Sequence, residues 1–206
     1  MPTLDLSPDQ IVTVARDLIG QHGLERFSMR KLAAALDVNP MTIYLRFENK
    51  DALLAAVAAA ALADFEAPPA GGTWSDQVLA LAVELRRHLI ADRDTLRLLH
   101  DGDRLTIGLL SAIDRGLSLM GEVHVDDQST VEAFRVLFWH VVGSALVAAS
   151  FQTLPGNDHA VAEAFAGVSD DYPHVVAHAS SFGPVDADAL FVRTTALLVE
   201  GLRSFS

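Results

Sequence analysis

The chain has 206 residues, of which half are hydrophobic, and it carries a formal net charge of −12. This length allows one large or two small domains with a buried core, and the lack of long β-branched alternations favours an all-helical protein. Because the sequence contains no cysteine, it excludes a disulfide framework, a thiolate nucleophile and a thiolate metal site.

The first predicted helix begins at Ser7-Pro8-Asp9-Gln10. Ser7 can cap the helix, Pro8 suits the first helical position, and Gln10 can reach back to complete a capping box. Gly23 suits the end of the helix. The inward face is an apolar stripe formed by Ile11, Ala15, Leu18 and Ile19.

Residues 27–54 predict two short helices joined by a tight bend and followed by the beginning of a longer helix. Ser28 can cap a helix over 29–36, residues 37–39 form the bend, and Pro40 suits the first turn of the next helix. Ile43 and Phe47 are expected to pack inward, while the remaining side chains of this helix face outward. This arrangement is a helix-turn-helix, whose second helix lies in the major groove of DNA.

Two segments of this region also carry a family resemblance. Residues 42–50, TIYLRFENK, together with residues 30–33, RKLA, resemble the DNA-binding domain of the TetR (tetracycline repressor) family. The segments TWSD at 73–76 and FWH at 138–140 follow in the order expected of its tetracycline-repressor branch.

The resemblance implies an all-α fold with two domains. Residues 1–66 are expected to form an N-terminal three-helix helix-turn-helix DNA-binding domain, with a fourth helix as connector. Residues 67–206 are expected to form a larger helical ligand-binding and dimerisation domain.

The remaining helices are predicted from periodicity and from turn residues. They comprise a connector helix from about 49 to 65, a helix over 74–91 capped by Thr73, a short helix after Asp94, a helix over 104–120, the most hydrophobic helix over 129–152, and a last helix from Asp186 to about 203. Residues 159–182 are expected to be irregular or to form short helices.

Two apolar stretches, at 52–63 and 136–151, are too short to span a membrane. We expect both to form buried helices. The N-terminus has no basic region followed by an apolar one, so no secretory signal is predicted. The sequence therefore predicts a soluble cytoplasmic protein with no membrane partner.

The candidate DNA contacts lie in and beside the helix-turn-helix. Arg30 can reach a phosphate or a guanine edge, the hydroxyls of Thr42 and Tyr44 suit phosphates, and Lys50 at a helix N-terminus can grip one. The alternatives are solvated side chains for Arg30 and Lys50 and a core aromatic for Tyr44. By match to the family's recognition helix, three further residues are expected to face the bases. The full set is Met29, Arg30, Asn39, Pro40, Met41, Thr42, Tyr44, Leu45 and Lys50, with Asn39, Met41 and Leu45 facing the bases.

Charge is distributed unevenly along the chain. Residues 26–50 contain five basic residues against Asp37 and Glu48, a local balance of +3, whereas the acidic excess lies mostly after Glu66. An acidic body repels DNA and leaves a small cationic face to dock.

A small-molecule pocket is expected in the second domain, because apolar walls with a few polar groups are typical of such sites. The candidate lining residues are His100, Met120, Phe134, Phe138, Trp139 and His140. The alternative is that the histidines are hydrogen-bonded core residues and that the aromatic residues form the core. Neither a metal site nor a cofactor is predicted.

Tetracycline is not the expected ligand of that pocket. Where tetracycline-binding relatives have a histidine, an amide and an aromatic residue, this sequence has Glu66, Leu81 and Leu85. The effector therefore cannot be named from the sequence.

The sequence thus predicts a homodimeric, ligand-responsive repressor of a palindromic operator. Its dimer contacts are expected on the helices over 129–152 and 186–203, although these helices could instead form only the core of the monomer. One alternative is an activator or a ligand-independent DNA-binding regulator. An enzyme is less favoured, because no GxSxG elbow, HExxH or phosphate loop is present.

Overall fold

The computed structural model describes residues 6–91, 109–124, 126–151, 165, 168, 171–181 and 185–203. Every regular element in these ranges is helical, which confirms the predicted fold class. The helices are α1 Pro8–His22, α2 Met29–Ala35, α3 Pro40–Tyr44, α4 Lys50–Ala63, α5 Trp74–Ala91, α6 Leu110–Gly121, α7 Asp127–Phe151, α8 Pro173–His178 and α9 Ala187–Leu202, with single 3₁₀ turns at Leu24–Arg26 and Ala179–Ser181.

The helices begin where capping residues predict. Ser7 and Gln10 form the expected capping box of α1, with the Ser7 backbone N–H donating to Gln10 Oε1 at 2.9 Å and the Gln10 N–H donating to Ser7 Oγ at 3.2 Å. Asn49 accepts from the Ala52 N–H at the start of α4. Asp186 accepts from two backbone N–H groups at the start of α9. These side chains replace partners that the first turn of a helix lacks.

Helices α1–α4 pack around a small apolar centre. Ile11, Leu32, Ile43 and Leu53 come from four different helices and are all completely buried. Each helix is short, so its stability depends on this shared packing rather than on its own propensity. The result is a compact head that presents α3 at its surface.

The second group of helices packs α5 against α6, α7 and α9. Trp74 at the start of α5 donates from Nε1 to the Leu119 carbonyl of α6 at 2.7 Å. Gly116 of α6 allows α7 to come close, because a Cβ at that position would lie 2.7 Å from the Phe134 ring. One continuous apolar core joins this group to the head.

Helix α7 is less buried than the sequence predicts. Residues Asp127–Ala149 are long and apolar enough to cross a membrane by length and composition alone, and only 28% of the stretch is buried. The helix predicted over 129–152 is present, but the expectation that its apolar stretch 136–151 is buried holds only in part, because one side of α7 packs inward while the other leaves apolar side chains at the surface. The inward side packs against α5, α6 and α9.

Two further expectations can be compared only in part. The short helix predicted after Asp94 lies outside the described residues, as do the first residues of the helix predicted over 104–120. Within 159–182 the structure describes α8 and the 3₁₀ turn that follows it, which agrees with the predicted short helices.

Candidate nucleic-acid interface

The bend between α2 and α3 is a Schellman turn. The Val38 N–H donates to the Ala33 carbonyl at 3.0 Å and the Asp37 N–H donates to the Ala34 carbonyl at 3.3 Å. Asp37 stands at the left-handed position with φ of +52°, where glycine is the usual residue. These bonds close the end of α2 and set the direction in which α3 begins.

Helix α3 begins with a cap and a proline. The Asn39 side chain accepts from the Met41 N–H at 2.9 Å, and Pro40 occupies the first helical position. Proline has no N–H to leave unpaired there, and its fixed φ suits a helix start. Asn39 and Pro40 therefore define the position of α3; the sequence predicted the place of Pro40 but gave Asn39 as a bend residue and a DNA contact, not as a cap.

The outward face of α3 is the one that the sequence predicts. Ile43 is fully buried and Phe47 is half-buried, whereas Met41, Tyr44 and Leu45 are 65%, 42% and 81% exposed. Thr42 and Pro40 are half-buried. A short helix with its inner residues anchored thus presents two large apolar side chains and a phenol to its surroundings.

Met29 does not belong to this face. Its side chain is only 8% exposed and lies in the core of the head. As the first residue of α2 it follows the cap Ser28, and its apolar side chain packs inward. The prediction that the Met29 side chain contacts DNA is therefore corrected.

The cationic candidates differ in their surroundings. Arg30 is exposed on the first turn of α2. Lys50 is half-buried: its Nζ donates to the Phe27 carbonyl at 3.1 Å and lies 5.6 Å from the centre of the Phe27 ring. The structure thus gives Lys50 a role in joining α4 to the start of α2. Its ammonium has three N–H donors, so this bond does not occupy all of them.

Arg46 is a surface residue that the sequence analysis counted only as a charge. It is exposed at the end of α3, one residue after Leu45. Arg46 follows the outward residues Tyr44 and Leu45 and precedes the inward Phe47 in the segment 42–50. This position could have identified it as a surface residue.

The described residues among those predicted to line a ligand pocket differ in their exposure and in their neighbours. Met120 is completely buried, and the rings of Phe134 and Phe138 lie 5.5 Å apart on the inner side of α7. Trp139 is 68% exposed. His140 faces α9, where its Nε2 lies 3.0 Å from Thr195 Oγ1.

This divergence has a geometric cause. Successive residues of an α-helix are rotated by about 100°, so Phe138, Trp139 and His140 point to three different sides. In the structure Trp139 lies at the surface and Met120 in the core, and the ligand-binding role of these residues stays a prediction. His100 lies outside the described residues.

A buried arginine connects α5, α7 and α9. The Arg86 side chain is 7% exposed, donates from Nε to Ser144 Oγ at 2.9 Å, and pairs with Asp188. Its guanidinium lies 4.8 Å from the Phe191 ring, against which the His140 ring stacks at 5.1 Å. Burial, and secondly the charge of Arg86, lower the pKa of His140.

Nothing in the described part of the chain groups three or more metal-binding side chains. His174 and His178, which share one face of α8, are both exposed. Glu66 is exposed, while Leu81 and Leu85 are buried in the core of the second group of helices.

Comparisons with known proteins agree with this architecture. The family model "Bacterial regulatory proteins, tetR family" matches residues 11–57, and "Tetracyclin repressor-like, C-terminal domain" matches residues 67–205. The tetracycline repressor protein class A from transposon 1721 of Escherichia coli is 30% identical over 200 residues, which cover 96% of this chain and 90% of that protein.

Solved structures give the same result. The Streptomyces coelicolor TetR family protein ActR in complex with actinorhodin has a TM-score of 0.82 and 26% identity, covering 96% of each chain. A possible TetR family transcriptional regulator from Streptomyces coelicolor A3(2) has a TM-score of 0.78 and 28% identity, covering 97% of this chain and 100% of that chain. The chain belongs to the TetR family of transcriptional regulators, with a DNA-binding helix-turn-helix and a ligand-binding-type C-terminal domain.

Proposed function

We propose that the chain is a homodimeric transcriptional repressor that binds a palindromic operator and is released from it by a small-molecule effector. The observation that carries this proposal is the surface of α3. Turn bonds and a cap fix this helix, and yet Met41 and Leu45 are 65% and 81% exposed on it. Apolar side chains on a helix that enters the major groove can contact the methyl groups of thymine.

The other candidate contacts have complementary roles. Arg30, Thr42 and Tyr44 bring a charge and two hydroxyls to the same end of the head, and such groups bind phosphates and hold the protein in register. Lys50 stands at the N-terminus of α4, whose free N–H groups favour an anion. Asn39 and Pro40 contribute by positioning α3.

A second copy of the chain is the expected partner of α7 and α9. On α7, exposed Trp139, Gly143 and Val147 recur at helical spacing on one face. On α9, Leu190 and Leu197 are 40% and 75% exposed. The two helices pack against each other, so pairing with a second copy would cover these side chains and bring two recognition helices to two half-sites.

The effector is proposed from the relatives. ActR has been solved with actinorhodin and with (S)-DNPA, and the repressors of similar sequence are named for tetracycline. Tetracycline does not suit this chain, because Leu81 and Leu85 offer no hydrogen bond to a drug and are buried. We assign the effector to the domain over residues 67–206 and DNA binding to the domain over residues 1–66.

The second group of helices, α5, α6, α7 and α9, forms the body of the protein. Effector release requires that one arrangement of the head and the body binds the effector better than the other. Helix α4 belongs to the head and reaches the body, so its tilt would set the spacing of the two copies of α3. A hundredfold loss of operator affinity corresponds to about 2.7 kcal/mol of coupling, which is within the usual allosteric range.

The family of the chain supports a non-enzymatic cytoplasmic regulator. An activator or a ligand-independent regulator remains the alternative. A reporter gene placed under the upstream region of the protein's own gene separates these cases, since a repressor lowers its expression and a metabolite extract restores it.

The direct test is selection of bound fragments from a random DNA library by the full-length protein. We expect a palindrome with two half-sites to be enriched. Failure to enrich any palindromic fragment would overturn the proposal.

Arg30→Ala should weaken binding to the selected fragment by about 1–3 kcal/mol if Arg30 contacts DNA, and it should lower the slope of log affinity against log salt by about one if that contact is a phosphate. Arg87→Ala provides the matched control, because Arg87 is an exposed arginine on α5 that pairs with Glu84. The measurement is operator affinity at several salt concentrations. An unchanged affinity and slope in Arg30→Ala would remove Arg30 from the DNA contacts.

A further inference from the structure

A cavity lies where the head meets the body, away from the residues that the sequence suggested for ligand binding. It is lined by residues of α1, α4 and the last two turns of α5, and its volume is about 610 Å³. Small-molecule sites are typically about 300–1,000 Å³. We call this space the junction cavity.

The inner wall of the junction cavity is apolar. Ile19 of α1 and Val57 and Ala61 of α4 line it, and all three are at most 3% exposed. Gly20 also lines the cavity, and a Cβ at this position would meet nothing within 4 Å. The wall therefore suits the apolar part of a ligand, and part of the space exists because residue 20 has no side chain.

The imidazole of His88 also contributes to the cavity lining. Its Nε2 lies 3.1 Å from the Ala61 carbonyl oxygen, and because a carbonyl only accepts, Nε2 must carry the proton. The ring also makes an edge contact with Phe65 at 5.5 Å between centroids. With Nε2 donating to the Ala61 carbonyl, Nδ1 is the ring nitrogen left for a ligand.

The charged residues that line or adjoin the junction cavity favour a ligand that donates hydrogen bonds. Arg16 forms an ion pair with Asp64 at 2.6 Å, so its positive charge is already compensated. Asp17 also lines the cavity and is exposed, and within the described part of the chain no ion pair joins it to another residue. The formal charges of Arg16, Asp17 and Asp64 therefore sum to −1.

We propose that the junction cavity binds a small, apolar molecule that carries a positively charged hydrogen-bond donor, such as an aromatic amine or amidine. Its apolar body lies against Val57 and Ala61, and its donor group faces Asp17 and His88. The occupant contacts α4 on one side and α5 on the other. Binding therefore changes the angle between head and body, and this consequence for DNA rests on the proposed function.

The binding test uses the full-length protein and two probes of matched shape. Biphenyl-4-carboxamidine carries a cationic donor, whereas biphenyl-4-carboxylate carries an anion on the same rings. We expect saturable binding of one amidine per chain by calorimetry, and binding of the carboxylate that is weaker by at least about tenfold. Absence of saturable amidine binding, or equal binding of both probes, would overturn the proposal.

Two glycine variants locate the bound probe. Gly20→Leu fills the cavity from α1 and should reduce amidine affinity by at least about tenfold. Gly121→Leu is the matched control, because Gly121 is also an exposed helical glycine with open space around its Cβ, and it does not line the cavity. Equal loss in both variants, or loss in neither, would contradict the assignment.

The contribution of charge is tested separately. Asp17→Asn removes the negative charge of this side chain without changing the volume of the cavity. It should weaken the amidine and leave the weak affinity of the carboxylate unchanged or improved. An amidine affinity identical to that of the unmodified protein would show that Asp17 does not face the ligand and would refute the proposed chemistry.

A DNA measurement separates this proposal from the proposed function. The amidine should change the affinity of the unmodified protein for its selected DNA fragment. The affinity of the Gly20→Leu variant for the same fragment should not change when the amidine is added. If the protein binds the amidine but enriches no DNA, the proposed function fails and the site stands. If it binds DNA and the amidine independently, the coupling through α4 fails while the repressor assignment survives.

Discussion

Asp37, a residue in the left-handed backbone conformation, helps to set the direction in which α3 follows α2 in the head. Asp37 has φ of +52° at the end of α2, a backbone conformation that costs most residues other than glycine about 1–2 kcal/mol. Aspartate and asparagine tolerate it better than other side chains, because their short polar groups can bond locally. The position thus combines conformational strain with a negative charge beside a predicted DNA surface.

We predict that Asp37→Gly stabilises the protein by about 0.5–1 kcal/mol and that Asp37→Ala destabilises it by a similar amount. Asp37→Asn keeps the conformational tolerance and removes the charge, so it should leave stability nearly unchanged while tightening DNA binding. Urea unfolding and operator affinity measure the two effects. Equal stability of the glycine and alanine variants would show that the left-handed conformation is not maintained in solution.

His140 makes the stability of the folded protein depend on pH. Burial, and secondly the charge of Arg86, hold its pKa below the ordinary value of 6.5. Above this value the ring is neutral in both the folded and the unfolded chain. As the pH falls below 6.5, the unfolded chain takes up the proton first, so stability is lost until the pH passes the lowered pKa of the folded state.

We expect the free energy of unfolding to fall between pH 7.5 and pH 5.5, and His140→Gln to reduce that fall. Glutamine keeps a polar group near Thr195 but does not titrate. His22→Gln is the control, because His22 is exposed at the end of α1. The readout is urea unfolding at both pH values and at one protein concentration. A fall of the same size in His140→Gln as in the unmodified protein would contradict the assignment.

The beginnings of helices were the most predictable elements. Ser7, Thr73 and Asp186 cap α1, α5 and α9 as the sequence predicted, with bonds to residues two or three positions along. Such bonds are local and therefore visible in a short run of sequence. The inward direction of Ile43 was predicted for the same reason, since it follows from the spacing within one helix.

Contacts between helices were predicted less well. Met120 and Trp139 were both assigned to a pocket, yet one is fully buried and the other is 68% exposed. Helical spacing identifies which residues share a face, but it does not say which neighbour covers that face. The junction cavity was missed because its wall combines residues of three helices that are distant in sequence.

Asn39 stabilises helix α3 and is also a candidate DNA contact. It caps α3 by accepting from the Met41 N–H. We predict that Asn39→Ala costs about 1 kcal/mol of stability and that Asn39→Ser, which keeps a capping oxygen, costs much less. Thermal or urea unfolding measures the difference.

Operator affinity of the Asn39→Ser variant then separates capping from base contact. If Asn39 acts through the cap, Asn39→Ser binds DNA almost as well as the unmodified protein. A large loss of affinity in this stable variant would instead assign Asn39 to direct contact with a base. Loss of affinity only in Asn39→Ala would assign it to positioning.

At the scale of the whole molecule, the candidate DNA-binding residues and the apolar faces proposed for pairing lie on different groups of helices. Arg30 and Lys50 belong to the head, whereas the exposed apolar side chains of α7 and α9 belong to the body. A chain with a net charge of −12 repels other copies of itself at long range. Self-association therefore requires a substantial apolar contact, and the faces of α7 and α9 are the ones available for it.

We predict that the protein has twice the mass of its 22.1 kDa chain in solution and that Leu197→Asp dissociates it. Leu197 is 75% exposed, so a charge there disturbs the monomer little but would be buried without a partner in a dimer. Leu110→Asp is the matched control, since Leu110 is 59% exposed at the start of α6. Light scattering gives the mass of each variant.

The fluorescence of Trp139 reports on the same contact. Trp139 is 68% exposed in the single chain and Trp74 is 9% exposed, so covering α7 should shift the emission of Trp139 to shorter wavelength while that of Trp74 stays constant. Leu197→Asp should reverse the shift and weaken operator binding, because one copy of α3 would then bind alone. A mass of 22.1 kDa for the unmodified protein at micromolar concentration would instead leave the α7 and α9 faces uncovered and require a single recognition helix to hold the operator.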